Sequence, residues 1–307
     1  MQIGLMGLGG TLDQIVQGAV DAEAAGLASF AVANIFGHDA IGALTLAGAR
    51  TSRIELLTAV VPSYPRHPAA IAQQALTASA ASRGRFTLGI GLSHQVVIEG
   101  MYGLSFDRPA RPMREYLSVL TPLLRGEPVR VAGESYTFRG ALRVTDVHYP
   151  VPCVIAAMAP AMLRLAGSLA DGTVLWMTGA KAIREHVAPR MRAAAAEAGR
   201  PEPRVICALP IALTDDVAAA RALAGKQFEN YGRLPSYRAM LDRQGAATPA
   251  DAALIGDEAA LDAALRELEE SGVTQFNGAP FDDGAGSVAR THAFLAERAR
   301  ERTAARA

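Results

Sequence analysis

The chain has 307 residues, of which 50% are apolar, and 30 basic side chains balance 30 acidic ones to a formal net charge of zero. This composition excludes a globally disordered chain and supplies enough apolar surface for a sizeable core. It also argues against nucleic-acid binding, because nucleic-acid-binding proteins carry a basic excess or stripe that contacts phosphates.

A membrane or secretory role is likewise not expected. No apolar run reaches the roughly 18 residues of a membrane span, and the opening residues, MQIGLMGLGG, lack the basic region of a signal peptide. We therefore expect a cytoplasmic protein with no membrane partner. The two cysteines, Cys153 and Cys207, lie in apolar strand-like runs away from any metal-binding spacing, and we interpret them as reduced core residues.

Short runs rich in Val, Ile and Leu alternate with Ala-rich segments of helical periodicity, a pattern typical of parallel strands covered by helices. Eight runs are predicted as strands: Gln2 to Met6, Phe30 to Ala33, Ile54 to Val60, Phe86 to Ile90, Cys153 to Ala157, Thr173 to Trp176, Val205 to Leu213 and Thr274 to Asn277. Eight units favour a closed (β/α)8 TIM barrel over an open doubly wound sheet, and such a barrel needs about 250 residues.

The remaining length falls in insertions at the C-terminal face of this barrel. They run from Gly91 to Pro109, from Gly126 to Pro150 and from Asn230 to about Ala253, and the second has the pattern of a small hairpin. No low-complexity linker separates the units. We therefore predict a single α/β domain over residues 1–307.

Helix starts are marked by local signals. Residues 11–14 (TLDQ) form a capping box, while Pro68 and Pro160 suit the first position of a helix. His67, just before Pro68, is interpreted as a structural residue that braces the helix start.

In barrels of this kind, the chemistry lies in the loops that follow the C-terminal ends of the strands. His38 and His94 occupy such loops, and a histidine there can serve as acid, base or hydrogen-bond donor. An equally good interpretation of the first is that Asp39 caps a helix and His38 is merely exposed. The six histidines show no HxH or HExxH spacing, so no metal site is predicted.

Residues 156–160 (AAMAP) pass from a strand directly into a helix, and their small side chains offer free backbone N–H groups to an anion such as phosphate. A tight connection alone explains the pattern nearly as well. A nucleophile elbow and a close pair of carboxylates are both missing from the predicted strand ends. The predicted mouth is instead apolar, which suggests that a cofactor carries the chemistry. The apolar residues, which could also simply plug the barrel, are Met6, Phe36, Tyr64, Met101, Trp176 and Met177.

A series of short motifs runs along nearly the whole chain: AEAAGL at 22–27, TSRIEL at 51–56, RHP at 66–68, SRGRF at 82–86, GIG at 89–91, MLRLAG at 162–167, ADG at 170–172 and LIGD at 254–257. In these motifs and in their order, the sequence resembles the bacterial luciferase-like oxidoreductases. The resemblance implies a barrel that binds either FMN or the deazaflavin coenzyme F420 at its C-terminal mouth. The compact length is closer to the deazaflavin branch, and a homodimer is usual for this family.

The resemblance also implies a set of site residues. A non-prolyl cis peptide, here Ala59–Val60, supports the ring system in the deazaflavin branch. The phosphate site maps onto Ala157, Met158 and Ala159. Asn34, Gly91 and Gln95 complete the predicted cofactor contacts, and the predicted substrate pocket consists of Met6, Phe36, Tyr64 and Trp176.

One departure bears on the reaction. The deazaflavin-dependent sugar-phosphate dehydrogenases carry Asp-His after the second strand and Glu after the fourth, where this chain has Asn34-Ile35 and Leu92. We therefore predict hydride transfer between the deazaflavin C5 and a small organic substrate, most simply the reduction of a C=C or C=N bond, with His38, His94 or solvent as proton donor. The alternatives are an FMN-dependent luciferase-like monooxygenase and a binding protein without turnover.

Overall fold

The computed structural model describes residues 1–7, 9–283 and 286–305. Its strands are β1 (Gln2–Gly7), β2 (Ser29–Val32), β3 (Glu55–Thr58), β4 (Val61–Pro62), β5 (Phe86–Gly91), β6 (Val129–Ala132), β7 (Thr137–Gly140), β8 (Cys153–Ile155), β9 (Gly172–Trp176), β10 (Arg204–Leu213), β11 (Leu254–Gly256) and β12 (Gln275–Pro280). The single-domain prediction covers residues 1–307 and so extends beyond the described ranges.

The α-helices are α1 (Leu12–Ala24), α2 (Ala40–Arg50), α3 (Pro68–Ala81), α4 (Gln95–Gly100), α5 (Ala110–Leu124), α6 (Pro160–Leu169), α7 (Ala180–Ala182), α8 (Ala188–Glu197), α9 (Val217–Gln227), α10 (Pro235–Gln244), α11 (Glu258–Glu270) and α12 (Ser287–Ala304). A π-helical turn, Ile183–Val187, joins α7 to α8. Short 3-10 turns at Glu229–Arg233 and Pro249–Ala252 flank α10.

Eight parallel strands close into a barrel, as predicted. They pair in the order β1, β2, β3, β5, β8, β9, β10 and β12, and β12 returns to pair with β1. The insertion at 126–150 forms the predicted hairpin, in which β6 and β7 are antiparallel with Val131 opposite Phe138. The (β/α)8 TIM barrel is therefore confirmed.

Two local predictions need correction. The strand predicted from Ile54 to Val60 ends at Thr58, because the chain turns at a cis peptide between Ala59 and Val60 before β4 pairs with β5. The third insertion, for which no helix was predicted, contains α10, and the unpredicted β11 pairs with β10 just beyond it. Three residues are too few to produce a strand periodicity that a sequence pattern can detect.

The barrel interior is layered. At its N-terminal end, the Arg204 guanidinium donates to both carboxylate oxygens of Glu55 at 2.8 and 2.9 Å and to the side-chain oxygen of Gln275 at 2.5 Å. The middle layer is apolar and consists of Ala31, Leu57, Val154, Val174 and Ile206. The layer nearest the C-terminal mouth consists of Met6, Ala33, Ala59, Trp176, Ala208 and Ala279.

The predicted helix starts are confirmed. Thr11 and Gln14 form the capping box, and Pro68 and Pro160 occupy the first turns of their helices. The His67 side chain accepts a hydrogen bond from the Ala69 amide at 3.2 Å, which is the structural role expected for it.

The Glu23 side chain, near the end of α1, forms hydrogen bonds with the backbone just before β3. Its carboxylate accepts hydrogen bonds from the backbone amides of Ser52, Arg53 and Ile54 at distances between 2.6 and 3.0 Å. Burial raises the pKa of Glu23, but these hydrogen bonds outweigh burial and lower the pKa from 4.5 to about 2.

This carboxylate therefore stabilises the fold above pH 4.5, and its contribution is lost as the pH falls towards 2. We predict that Glu23→Gln lowers the free energy of unfolding at pH 7 by about 1.5–3 kcal/mol, the range of hydrogen bonds to a charged group. Urea denaturation should show a smaller difference from the wild type at pH 3. The exposed Glu197→Gln serves as the control, and a difference for Glu23→Gln that is independent of pH would contradict the prediction.

Candidate active site

The mouth of the barrel has a floor of small side chains. In the layer nearest the mouth, Met6 and Trp176 are accompanied by alanines. Gly91 lies next to this layer, and a Cβ placed there would lie 2.6 Å from Val60 Cγ2 and 3.2 Å from Ala156 Cβ. A side chain at position 91 would therefore collide with Val60 and Ala156, so the glycine lets these residues pack closely. The C-terminal ends of the strands thus carry an apolar layer in which alanines lie beside Met6 and Trp176.

The predicted cis peptide lies at this floor. The bond between Ala59 and Val60 is cis, and the side chains of both residues pack against the apolar middle layer of the barrel. The sequence-based prediction of this bond is confirmed.

Beside the floor, residues 158–162 form a run that we call the amide loop. The backbone N–H groups of Met158, Ala159 and Ala161 donate to no acceptor within the described chain, and α6 begins at Pro160 without a side-chain cap. The positive end of the α6 dipole adds to these groups. The amide loop can therefore bind an anion.

Ala157 differs from its two neighbours in the predicted phosphate site. Its amide donates to Thr173 Oγ1 at 3.3 Å, and the Thr173 hydroxyl donates to the carbonyl oxygen of Ile155 at 2.8 Å. The Ala157 N–H is thus already engaged, so only Met158 and Ala159 of the three predicted residues present free amides. Thr173 was predicted only as part of a strand, because a sequence does not show which backbone group a threonine hydroxyl reaches.

An aromatic wall rises on one side of the floor, formed by His94, Trp176, Phe228, Tyr231 and Tyr237. The ring centroids of His94 and Tyr237 are 5.5 Å apart, and those of Tyr237 and Tyr231 are 5.2 Å apart. The Trp176 centroid lies 5.8 Å from that of Tyr231 and 6.0 Å from that of Phe228. Tyr231 and Tyr237 lie in the third insertion, and Phe228 lies just before it. None of the three was predicted as a site residue, although the abundance of aromatic residues in this insertion could have indicated a role at the site.

The environments of the two candidate histidines differ. His94 is half-buried, and burial lowers its pKa below the ordinary 6.5, so the imidazole is neutral at neutral pH. His38 is exposed in the loop between β2 and α2. Beside it, Asp39 caps α2 by accepting from the Gly42 amide at 2.7 Å and also pairs with Arg66 at 2.9 Å.

Other predicted residues have local partners. Asn34 Oδ1 accepts from the Ala40 amide at 3.0 Å, and Gln95 Nε2 donates to Glu99 at 3.0 Å. Tyr64 stacks on Phe106 with a centroid distance of 5.6 Å rather than entering the floor layer. Burial, with smaller contributions from Tyr136 and Glu99, raises the pKa of Tyr64 to about 12.

The apolar residues predicted at the mouth are distributed between its floor and its surface. Met6 and Trp176 belong to the floor and Met177 is buried, whereas Phe36 and Met101 are each 62% exposed. The predicted pocket is thus only partly assembled from the residues named for it.

Some features are absent from the described ranges. No group of three or more His, Cys, Asp or Glu side chains there is arranged to hold a metal ion. No described helix is long and apolar enough to cross a membrane. Cys153 and Cys207 are buried and free, and burial raises the pKa of each thiol, so both are protonated at neutral pH.

The sequence profile of the family described as luciferase-like monooxygenase matches residues 2–276. The chain belongs to this family, which confirms the resemblance inferred from its motifs. Within the family, it is 32% identical over 222 residues to an uncharacterised protein of Mycobacterium tuberculosis, with 68% of this chain and 65% of that protein aligned.

It is also 32% identical over 225 residues to a protein of Kineococcus radiotolerans named F420-dependent glucose-6-phosphate dehydrogenase, covering 68% of this chain and 66% of that one. The alignments thus span just under two thirds of these relatives' own lengths. The solved structure of the coenzyme F420-dependent tetrahydromethanopterin reductase from Methanopyrus kandleri shares the fold, with a TM-score of 0.80, 22% identity and 96% of each chain covered.

The burial of His94 by the aromatic wall leads to a prediction. Tyr237→Ala removes the ring that lies 5.5 Å from the imidazole and admits water, so the pKa of His94 should rise towards 6.5. An NMR titration of the histidine rings measures this pKa. Tyr102→Ala, at a tyrosine that is 42% exposed, is the matched control. An unchanged or lower His94 pKa in Tyr237→Ala would rule out the wall as the cause.

Proposed function

We propose that this chain is an F420-dependent oxidoreductase that transfers a hydride between the deazaflavin C5 and a small organic substrate, and that the substrate is reduced at a C=C or C=N bond. The observation that carries the proposal is the apolar floor of small side chains beside the amide loop. A flat ring system and a phosphate need these two features next to each other. The relative named F420-dependent glucose-6-phosphate dehydrogenase supports the choice of F420.

The residues present fit such a cofactor. The alanines of the floor would leave room for a planar ring, because their side chains end at Cβ. Met158 and Ala159 would hold the phosphate through their N–H groups. Bound F420 would supply a carbon centre that donates or accepts a hydride, which is chemistry that no protein side chain provides.

The chain's own contribution is orientation and exclusion of water. His94 is neutral because of its burial, so it serves as a hydrogen-bond donor or acceptor that orients the substrate rather than as a cationic acid. The proton that completes the reduction then comes from the exposed His38 or from solvent. The aromatic wall shields one side of the floor from water.

The substrate class follows from the scarcity of charge at the mouth. The wall is aromatic, the floor is apolar, and Phe36 and Met101 are exposed in the loops that follow β2 and β5. These surfaces favour a neutral, apolar substrate over a sugar phosphate, whose anionic group would need a second anion site. At the positions where the sugar-phosphate dehydrogenases carry an acid and a base, Asn34 caps α2 and Leu92 is apolar.

The second candidate is an FMN-dependent monooxygenase, which the description of the matching family favours. FMN shares the planar ring and the phosphate, so the same floor and amide loop would accept it. The two candidates therefore differ in the cofactor that binds selectively.

Fluorescence titration of the purified protein with oxidised F420 and, in parallel, with oxidised FMN separates them. We expect selective binding of F420, followed by oxidation of reduced F420 when an unsaturated neutral acceptor is added. Selective binding of FMN would replace the proposal with the monooxygenase. Binding of F420 without turnover of any acceptor would favour a binding protein.

A substitution in the amide loop tests the phosphate position. Ala159→Glu places a carboxylate beside the free amides, so F420 affinity should fall about tenfold or more by like-charge repulsion. The melting temperature should change little, because Ala159 is exposed. Ala159→Gln has nearly the same shape without the charge and should bind close to wild type. Equal affinities of the Glu and Gln variants would place the phosphate elsewhere.

A further inference from the structure

A buried histidine lies behind the amide loop. His186 belongs to the π-helical turn Ile183–Val187 and is only 2% exposed. Its Nε2 atom lies 2.7 Å from the carbonyl oxygen of Met158. His186 lies outside the predicted strand-end loops, and it was not predicted as a site residue. It is separated from Met158 by 28 positions in the sequence, so a sequence pattern does not reveal the contact. Single π-helical turns are frequent at functional sites.

The direction of this hydrogen bond fixes the protonated atom of the ring. A carbonyl oxygen can only accept, so Nε2 carries the hydrogen and donates it. Burial lowers the pKa of His186, the bond to Met158 opposes that change, and the guanidinium groups of Arg243 and Arg190 lower the pKa further. The ring is therefore neutral, and its Nδ1 atom has no hydrogen-bond partner within the described chain.

The bond also fixes the orientation of one peptide plane. In a trans peptide, the carbonyl and the N–H of the same unit point in opposite directions. The Met158 carbonyl shares its plane with the Ala159 N–H. When His186 holds this carbonyl towards the protein interior, the Ala159 N–H is directed away from His186, at the start of α6. Thr173 holds the Ala157 amide two residues earlier.

We infer that His186 is a positioning residue for the amide loop, which it prepares to bind the phosphate of a flavin-type cofactor by fixing the Met158–Ala159 peptide plane. This inference rests on the proposed function, because it needs a phosphate-bearing cofactor. His186 itself does not contact the phosphate. Its effect is transmitted through the backbone, so its loss weakens recognition of the phosphate and leaves recognition of the ring intact.

The experiment compares two ligands that share one ring system, of which only F420 carries the phosphate and the side chain attached to it. Wild type, His186→Leu and His186→Gln are titrated by fluorescence with F420 and with 7,8-didemethyl-8-hydroxy-5-deazariboflavin, the phosphate-free form of the same ring system. The leucine variant fills similar space without a donor, and we expect its F420 affinity to fall about tenfold, as for a lost hydrogen bond of this strength. Its affinity for the phosphate-free compound should be unchanged. Glutamine carries an N–H at the position of Nε2 and should restore most of the F420 affinity.

The outcomes separate the two proposals. Suppose that wild type binds F420 but that His186→Leu lowers the affinity for both ligands equally, or changes neither affinity. The positioning role is then overturned, and the proposed function stands. If wild type prefers FMN, the same comparison with FMN and riboflavin tests His186, and only the choice of cofactor fails. If wild type binds neither phosphate-bearing compound, both proposals fail.

Thermal unfolding verifies that each variant folds. Should the leucine variant not fold, His186→Asn, whose amide is too short to reach Met158, takes its place.

Discussion

The closed ladder of parallel strands is the constraint on which the rest of the molecule depends. Because β12 pairs with β1 and β9 pairs with β10, no strand edge of the barrel is left open, and all eight carboxyl ends meet at one mouth. The interior must then be filled by side chains. The Glu55–Arg204 pair fills its N-terminal end and aliphatic side chains fill the middle. Near the mouth, Ala33, Ala59, Ala208 and Ala279 keep the layer beside Met6 and Trp176 low.

The second feature of the mouth is a run of free backbone amides. Parallel strand–helix connections bring a helix N-terminus beside each strand end, and side chains cap several of these ends, as Thr11, Asp39 and His67 cap α1, α2 and α3. At α6, the cap residue is Ala159, whose methyl group cannot accept a hydrogen bond. The uncapped amides would be costly if they were sealed from water. Ala159 is exposed, so solvent or an anion can satisfy them. An alanine at this position thus preserves a binding capacity that serine or aspartate would consume.

How far the sequence predicts this structure depends on the range of the interaction concerned. The eight strands and the helix starts follow from local periodicity and from Thr11, Pro68 and Pro160, and the structure contains all of them. The family resemblance supplied the cis bond at Ala59–Val60, which no composition or spacing indicates. Contacts between distant segments were missed, among them His186 with Met158 and Tyr237 with His94. A side chain's partner across 28 or more positions depends on the packed fold and leaves no periodic trace in the sequence.

The distribution of ionisable groups limits how this site can accelerate a reaction. Cys153, Cys207 and His186 are all buried, and burial favours the uncharged form of each. Burial, and not a charged neighbour, also lowers the pKa of His94, which lies beside the ring of Tyr237. A site with so few charges cannot stabilise a large build-up of charge on the substrate. It suits a step in which a hydride moves between two carbon centres that are held in contact, where distance and orientation dominate the barrier. The apolar floor, the aromatic wall and the amide loop would each hold a bound molecule in one orientation, and this is what the chain would contribute to the proposed step.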